Sequence, residues 1–321
     1  MKILVPYCPD AAVSDYEPYR KQIEIYGGFS DELWNDDQGS GYGLNRMSSF
    51  GSGANFKSFD EWVETLYKLA EAGIPTNTVF NGFYYDQHQA AFIAEHYLKT
   101  LSKVRRSGII TGSIPLIRAA NTLGLRTSVS TIGNVYNAYI AAAYEREFAE
   151  SVILPRELTM EEITEIIKRV PKLEYEAFIL GSGCRFSDGS CMCTHIPRRG
   201  GMCQMLDMAH GEVAGKADFH EESIQRLSFH AFHGLFMKDA CGLCALYRLI
   251  NAGVTKFKIV GRSEGFRSVR NMLEQTVTNL EIAMNCQSEE EYLRNMKIDP
   301  HMASRCVEGY NCYYPEIRFP R

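Results

Sequence analysis

Six cysteines fall between positions 184 and 244: Cys184, Cys191, Cys193, Cys203, Cys241 and Cys244. The segment around them is rich in Gly, Ser, Arg and Met rather than in core residues. Thiolate sulfur is a soft ligand that suits zinc and iron–sulfur clusters. Structural zinc sites usually carry two tight cysteine pairs far apart in sequence. Only Cys241-Gly-Leu-Cys244 has that form, whereas Cys191-Met-Cys193 has a single intervening residue. Sparse ligands on a loop, plus one at a helix start, suit a cluster held across tertiary structure. The spacing therefore predicts a metal site, with iron–sulfur favoured over zinc and unligated thiols as the remaining alternative. The chain has 10 cysteines, many for a reducing compartment. Cys286, Cys306 and Cys312 read as buried thiols acting as small hydrophobes.

Other chemistry-bearing residues are fewer. His230 and His233, in Ser-Phe-His-Ala-Phe-His-Gly, read as packing residues, and His195 could serve the cysteine site or face solvent. There is no G-x-S-x-G elbow, no H-E-x-x-H and no P-loop, so serine hydrolase, zincin and nucleotide-triphosphatase readings lack support. Cys8, at the tip of the first strand, is the candidate thiol nucleophile outside the cysteine region, with no histidine tied to it by sequence. Tyr84 and Tyr85, just past the third strand, could stack on a planar substrate or pack as a lid.

These residues need a frame. The chain has 321 residues, 45% hydrophobic and 23% charged, which excludes a disordered or low-complexity protein. Strands are expected at Ile3–Tyr7, Gln22–Tyr26, Asn77–Asn81, Gly108–Thr111, Leu125–Ser130, Ser151–Pro155, Glu174–Leu180 and Lys256–Val260. Helices are expected at Phe59–Ala72, Gln87–Val104, Ile114–Leu123, Val135–Phe148, Met160–Arg169, Ala240–Ala252 and Phe266–Met284, with a capping box at Thr159 and Glu162. Alternating strands and helices imply a parallel sheet, and eight such units imply an α/β fold of the TIM-like (β/α)8 barrel type. An open doubly wound sheet would want a G-x-G-x-x-G turn after the first strand, and Pro6-Tyr7-Cys8-Pro9 is unlike it. The expected organisation is a barrel over 1–285, including a cysteine-rich insertion at 183–244 after the seventh strand, and a tail over 286–321 packing on it. Strand alternation turns Glu24, Tyr26, Glu174, Glu176, Lys256 and Lys258 inward, with Arg262 at the rim. Neighbouring seventh and eighth strands suggest a Glu176–Lys258 ion pair.

The chain resembles the peptidase U32 (collagenase-like) family. The resemblance is carried by Ile153-Leu-Pro-Arg156-Glu157-Leu-Thr159, by Glu176-Ala-Phe-Ile-Leu-Gly181 with Cys184 and Cys191, and by Arg199-Gly-Gly-Met-Cys203-Gln204. Lys238-Asp-Ala-Cys241 and Ala252-Gly-Val-Thr-Lys-Phe-Lys258-Ile-Val-Gly261-Arg262 complete it over about residues 150–270. It implies an oxygen-independent hydroxylase, or a related oxygen-transfer enzyme, holding a 4Fe–4S cluster on Cys184, Cys191, Cys203 and Cys241. It places Arg156, Glu157, Lys258 and Arg262 at the barrel mouth. It also implies a small-molecule substrate, prephenate as a candidate oxygen donor, and a related protein partner in a heterodimer or a homodimer. The family often has His where Leu180 stands and Glu where Val260 stands.

A peptidase, as the family name has it, and a non-catalytic cluster-bearing accessory subunit are the alternatives; zinc is the alternative metal. Net charge is −5, so no global basic field advertises nucleic acid, and Lys103–Arg106 and Arg198-Arg199 read as solvated faces. No apolar run approaches a membrane span, and the start MKILVPYCPD reads as a strand, not a signal peptide. A cytoplasmic protein is the expectation.

Overall fold

The computed structural model describes residues 1–34, 43–45, 55–184, 188–189, 236–262, 264–306 and 311–317. Nine strands run β1 Lys2–Pro6, β2 Ile23–Gly27, β3 Thr76–Phe80, β4 Ser107–Thr111, β5 Arg126–Val129, β6 Ser151–Ile153, β7 Glu174–Cys184, β8 Phe236–Cys241 and β9 Lys256–Ile259. Their order is β6-β5-β4-β3-β2-β1-β9-β7-β8, and β6 also pairs with β7. That last pairing closes eight parallel strands into a ring, a TIM-like barrel with helices between the strands. The eight ring strands are the eight that the sequence pattern marks.

The ninth strand was not expected. A helix was read from Ala240, but Phe236–Cys241 pairs antiparallel with the upper half of β7. The helix proper begins at Leu246, after a tight turn over Leu243–Ala245. The unusual length of β7, 11 residues, explains this: its distal half leaves the ring and offers a free edge. Gly181 starts that departure. Its φ is +108°, and a Cβ there would lie 2.0 Å from the Val260 carbonyl oxygen, so a larger residue cannot occupy the position.

Helices cover the ring with apolar stripes at helical spacing. Trp62, Leu66, Leu69 and Ala70 do so on Phe59–Glu71; Met160, Ile163, Ile166 and Ile167 do so on Met160–Arg169. The second helix has the capping box read from sequence: the Glu162 amide donates to Thr159 Oγ1 at 3.3 Å, and the Thr159 amide donates to Glu162 Oε2 at 2.8 Å. Thr159→Ala is expected to cost about 1 kcal/mol in chemical denaturation. The stretch read as one helix over Gln87–Val104 is helical from Gln87 to Leu101, with a π turn at Ala94–Leu98. Helices form at Glu289–Asn295 and Pro300–Cys306, and Tyr292, Tyr313 and Tyr314 are buried.

The barrel interior is polar. At its lower end Glu24 accepts from Asn77 Nδ2 at 3.0 Å and from Arg126 Nη1 at 3.0 Å, while Lys256 Nζ meets Glu174 Oε2 at 2.6 Å. Burial would raise the Glu24 pKa, but Lys256 and Arg126 outweigh it and hold the carboxylate charged. This network is a floor. It leaves the upper half of the ring to the remaining charged residues.

Candidate functional site

In a barrel of this kind the loops after the strands gather at the carboxyl-terminal rim. Lys258, third residue of β9, and Glu176, third residue of β7, stand just below it. Their Nζ and Oε1 are 2.7 Å apart, and Glu176 is fully buried. The Lys258 ammonium also lies 4.0 Å from the centre of the Tyr26 ring. Burial pushes the Glu176 carboxyl up and the Lys258 amine down, each opposed by the partner's charge. Glu176 Oε2 has no hydrogen-bond partner among the described residues. The pair expected from strand alternation is thus present, and it is buried.

Arg156 enters from the loop after β6. Its Nη1 donates to Asp188 Oδ2 at 2.6 Å, and its guanidinium lies 4.1 Å over the Phe178 ring. Burial opposes its charge, but Asp188 outweighs burial, so it stays a cation. Asp188 also accepts from Thr131 Oγ1 at 2.7 Å. The Tyr313 hydroxyl donates to the Gly181 carbonyl at 2.8 Å and lies within electrostatic range of Arg156. Arg156 Nε is buried and has no hydrogen-bond partner among the described residues. It faces Gly183, where an added Cβ would stand 3.1 Å away.

Glu157 follows Arg156 at the exposed edge of the rim and accepts from the Tyr136 hydroxyl at 3.1 Å. Loss of water around its carboxyl is the main cause that pushes its pKa up, with Asp188 adding to it. Arg262, in the loop after β9, lies within electrostatic range of Tyr26 and Lys258. The four residues expected at the mouth are therefore brought together around the upper ends of β2, β6, β7 and β9. Arg156 and Lys258, each paired with a carboxylate, and Arg262 offer donors to an anion there, and Glu157, with its carboxyl pKa pushed up, can exchange a proton with it.

Sequence reasoning missed Asp188, Thr131 and Tyr313. Asp188 carried a weak signal, an Asp-Gly turn beside a motif cysteine; Thr131 and Tyr313 carried none. Of the tyrosines singled out, Tyr85 is buried and donates to the Leu44 carbonyl, so it packs, while Tyr84 is exposed. Cys8 is buried, and burial pushes its thiol up to about 11. A thiol in that state is not an activated nucleophile.

The cysteine expectation is reached only in part. Cys191, Cys193, Cys203, His195, His230, His233 and Arg198-Arg199 lie outside the described residues, as does the side chain of Cys184. Cys241 is buried, and burial pushes its thiol up to about 12. In the β7–β8 ladder Cys241 pairs with Leu180 while Cys184 pairs with Phe236. The described residues do not assemble the four-cysteine set. Among them, no three metal-binding side chains share one centre, and no helix is long and apolar enough to cross a membrane.

A collagenase of Porphyromonas gingivalis is 27% identical over 221 residues, 63% of this chain and 51% of that protein. An uncharacterized protease of Methanocaldococcus jannaschii is 36% identical over 175 residues, 53% of this chain and 42% of that one. The tRNA hydroxylation protein P of Helicobacter pylori is 26% identical over 183 residues, 55% of this chain and 39% of that one. The chain thus spans about half the length, or less, of these curated relatives. The solved structure of a U32 peptidase aligns over 62% of this chain and 74% of its own, at 14% identity and a TM-score of 0.43. The model of the family described as Peptidase family U32 matches residues 42–318. The chain belongs to peptidase family U32.

Proposed function

We propose that this chain is an oxygen-independent hydroxylase, or a related oxygen-transfer enzyme, acting on a small carboxylated substrate at the barrel mouth. One observation carries the reading: Arg156 is buried at the mouth, held by Asp188 on one edge, with its Nε unmatched on another. A guanidinium fixed in this way recognises a planar carboxylate by charge-assisted hydrogen bonds. Lys258 and Arg262 add positive potential behind it. Phe178 and Tyr26 supply apolar faces for the body of such a molecule. The names of the tRNA hydroxylation relatives support hydroxylation as the reaction class. The names of the collagenase and protease relatives support the peptidase alternative, which lacks an activated thiol at Cys8.

The resemblance implies a 4Fe–4S cluster on Cys184, Cys191, Cys203 and Cys241, with zinc as the alternative. In this reading Arg156 and Glu157 supply binding and proton handling beside it. Arg156 orients the carboxylate. The raised pKa of Glu157 favours its protonated form relative to a free glutamate. Tyr136, its hydrogen-bond donor, fixes the carboxyl in place.

The test is anaerobic incubation of the purified chain with carboxylated aromatic compounds, with and without prephenate as the oxygen donor, read by mass spectrometry. A product gaining one oxygen only when the donor is present supports the reading. Release of peptide fragments with no such product sinks it. Glu157 sets the expected pH dependence. A reaction needing its protonated form holds at low pH and falls as pH rises through the raised pKa. Glu157→Gln is expected to remove that falling limb from a rate–pH profile. A variant keeping the wild-type limb removes Glu157 from the proton path.

A further inference from the structure

Lys258 and Glu176 form a buried pair with an uneven outlet. The lysine side chain keeps 9% of its surface exposed, and the glutamate side chain keeps none. A molecule that reaches the pair therefore meets the amine before the carboxylate. Nζ and Oε1 are 2.7 Å apart, within the reach of direct proton transfer. Phe178 pairs with Lys258 across the β7–β9 ladder, so the two residues stand side by side in the ring. The Arg156 guanidinium lies 4.1 Å over that same phenyl ring. Amine and guanidinium thus flank one residue. The Tyr26 ring lies 4.0 Å from the ammonium, and its hydroxyl donates to the Ile259 carbonyl at 2.8 Å. Tyr26 therefore offers a face and no competing proton.

We propose that Lys258 forms an imine with the carbonyl carbon of a 2-oxo acid whose carboxylate is held at Arg156. The carboxylate and the carbonyl of such an acid are on adjacent carbons, which suits a cation and an amine that flank one ring. Burial is the main cause that loosens the hold of Lys258 on its proton; Glu176 opposes it, and Arg262 and Arg156 add to it. An amine buried beside other cations is the kind that attacks carbonyls. The step balances. Lys258 passes one proton to Glu176, and its lone pair attacks the carbonyl carbon. A second proton moves from the nitrogen to the carbonyl oxygen. Glu176 returns its proton to the resulting hydroxyl, which leaves as water. The product is a protonated imine beside a carboxylate, the same charge pair as at the start. No oxidant or reductant is consumed.

The inference rests on the proposed function for the carboxylate seat at Arg156 and not for oxygen transfer. Lys256, the other lysine of the barrel interior, is held by Glu174 at 2.6 Å in the floor and serves as an internal control.

The full chain should be incubated without oxygen with pyruvate, reduced with sodium borohydride, digested and mapped by mass spectrometry. A reduced pyruvate adduct on Lys258, with Lys256 unlabelled, supports the imine. An unlabelled Lys258, or label spread over exposed lysines such as Lys68 and Lys99, overturns it. Acetone lacks the carboxylate and should be trapped at Lys258 far less than pyruvate; equal trapping overturns the 2-oxo acid assignment. Glu176→Gln should slow trapping about 100-fold, the scale of loss when a positioned proton acceptor is removed. The labelled residue is identified in the wild type, so the decision does not depend on a variant folding. Trapping at Lys258 in a chain that hydroxylates nothing supports the imine and counts against the hydroxylase reading alone. Hydroxylation without trapping overturns the imine alone.

Discussion

Lys258→Met is expected to lower stability by about 3–5 kcal/mol at neutral pH, the range for breaking one side of a buried ion pair. The methionine fills similar volume, so loss of packing is minor. The cost lies in Glu176, which is fully buried and has one oxygen already without a hydrogen bond. Without the 2.7 Å ammonium, the carboxylate must stay charged in a dry site or take up a proton. Burial already pushes its pKa up, and removing Lys258 takes away the main opposing charge. The sign of the pH dependence follows. In the variant the folded-state pKa of Glu176 rises well above its unfolded value, so the destabilisation is full at high pH and shrinks as pH falls through that raised value. Against a total of about 5–15 kcal/mol for a typical domain the loss is large. Denaturant titrations at several pH values check it. Adding Glu176→Gln should recover much of the loss, since it removes the charge that has no partner. A Lys258→Met cost under about 1 kcal/mol would mean that Glu176 is already protonated and that the ion pair is not the native state.

This pair was legible in the sequence, and the reason is geometric. Strand alternation assigns faces with a period of two, and the eight parallel strands fix which strands are neighbours. Lys258 and Glu176 follow from those two facts alone. Arg156 and Glu157 were legible through the family resemblance, which puts them at the mouth; they lie three and four residues beyond β6, and Arg262 lies three beyond β9, on the rim. Asp188 and Tyr313 were not, because their positions depend on long excursions of the chain. The same holds for β8. Its residues read as the start of a helix, and only the free edge of the overlong β7 turns them into a strand. Cys306 and Cys312 look like scattered core thiols in sequence. The β-bridge of Cys312 to Cys241 is created by the return of residues 311–317 to β8, which no local pattern announces.

Arg156→Lys is expected to reduce kcat/KM for a carboxylated substrate about 100-fold, comparable to removing one preorganised donor from an active site. The substitution keeps the charge, so Asp188 retains a cation and the fold is spared the cost of a stranded carboxylate. What it removes is the fork. Arginine reaches Asp188 through Nη1 at 2.6 Å while its buried Nε, without a partner among the described residues, faces Gly183. A lysine ammonium is one point charge and cannot serve Asp188 and a substrate carboxylate in two fixed directions. The loss should fall on KM where the carboxylate is bound equally in ground and transition states, and on kcat where Arg156 orients the reacting end. An amide analogue of the substrate separates recognition from general damage. It should be poor for the wild type and little worse for the variant. Gly183→Ala is an independent arm, because its Cβ would crowd Nε at 3.1 Å without touching the charge. It should mimic Arg156→Lys in kinetics, with the Asp188 ion pair left in place. If both variants bind the carboxylate and its amide with unchanged affinity in calorimetry, Arg156 is a rim-fixing ion pair. The anion site must then be sought on Arg262.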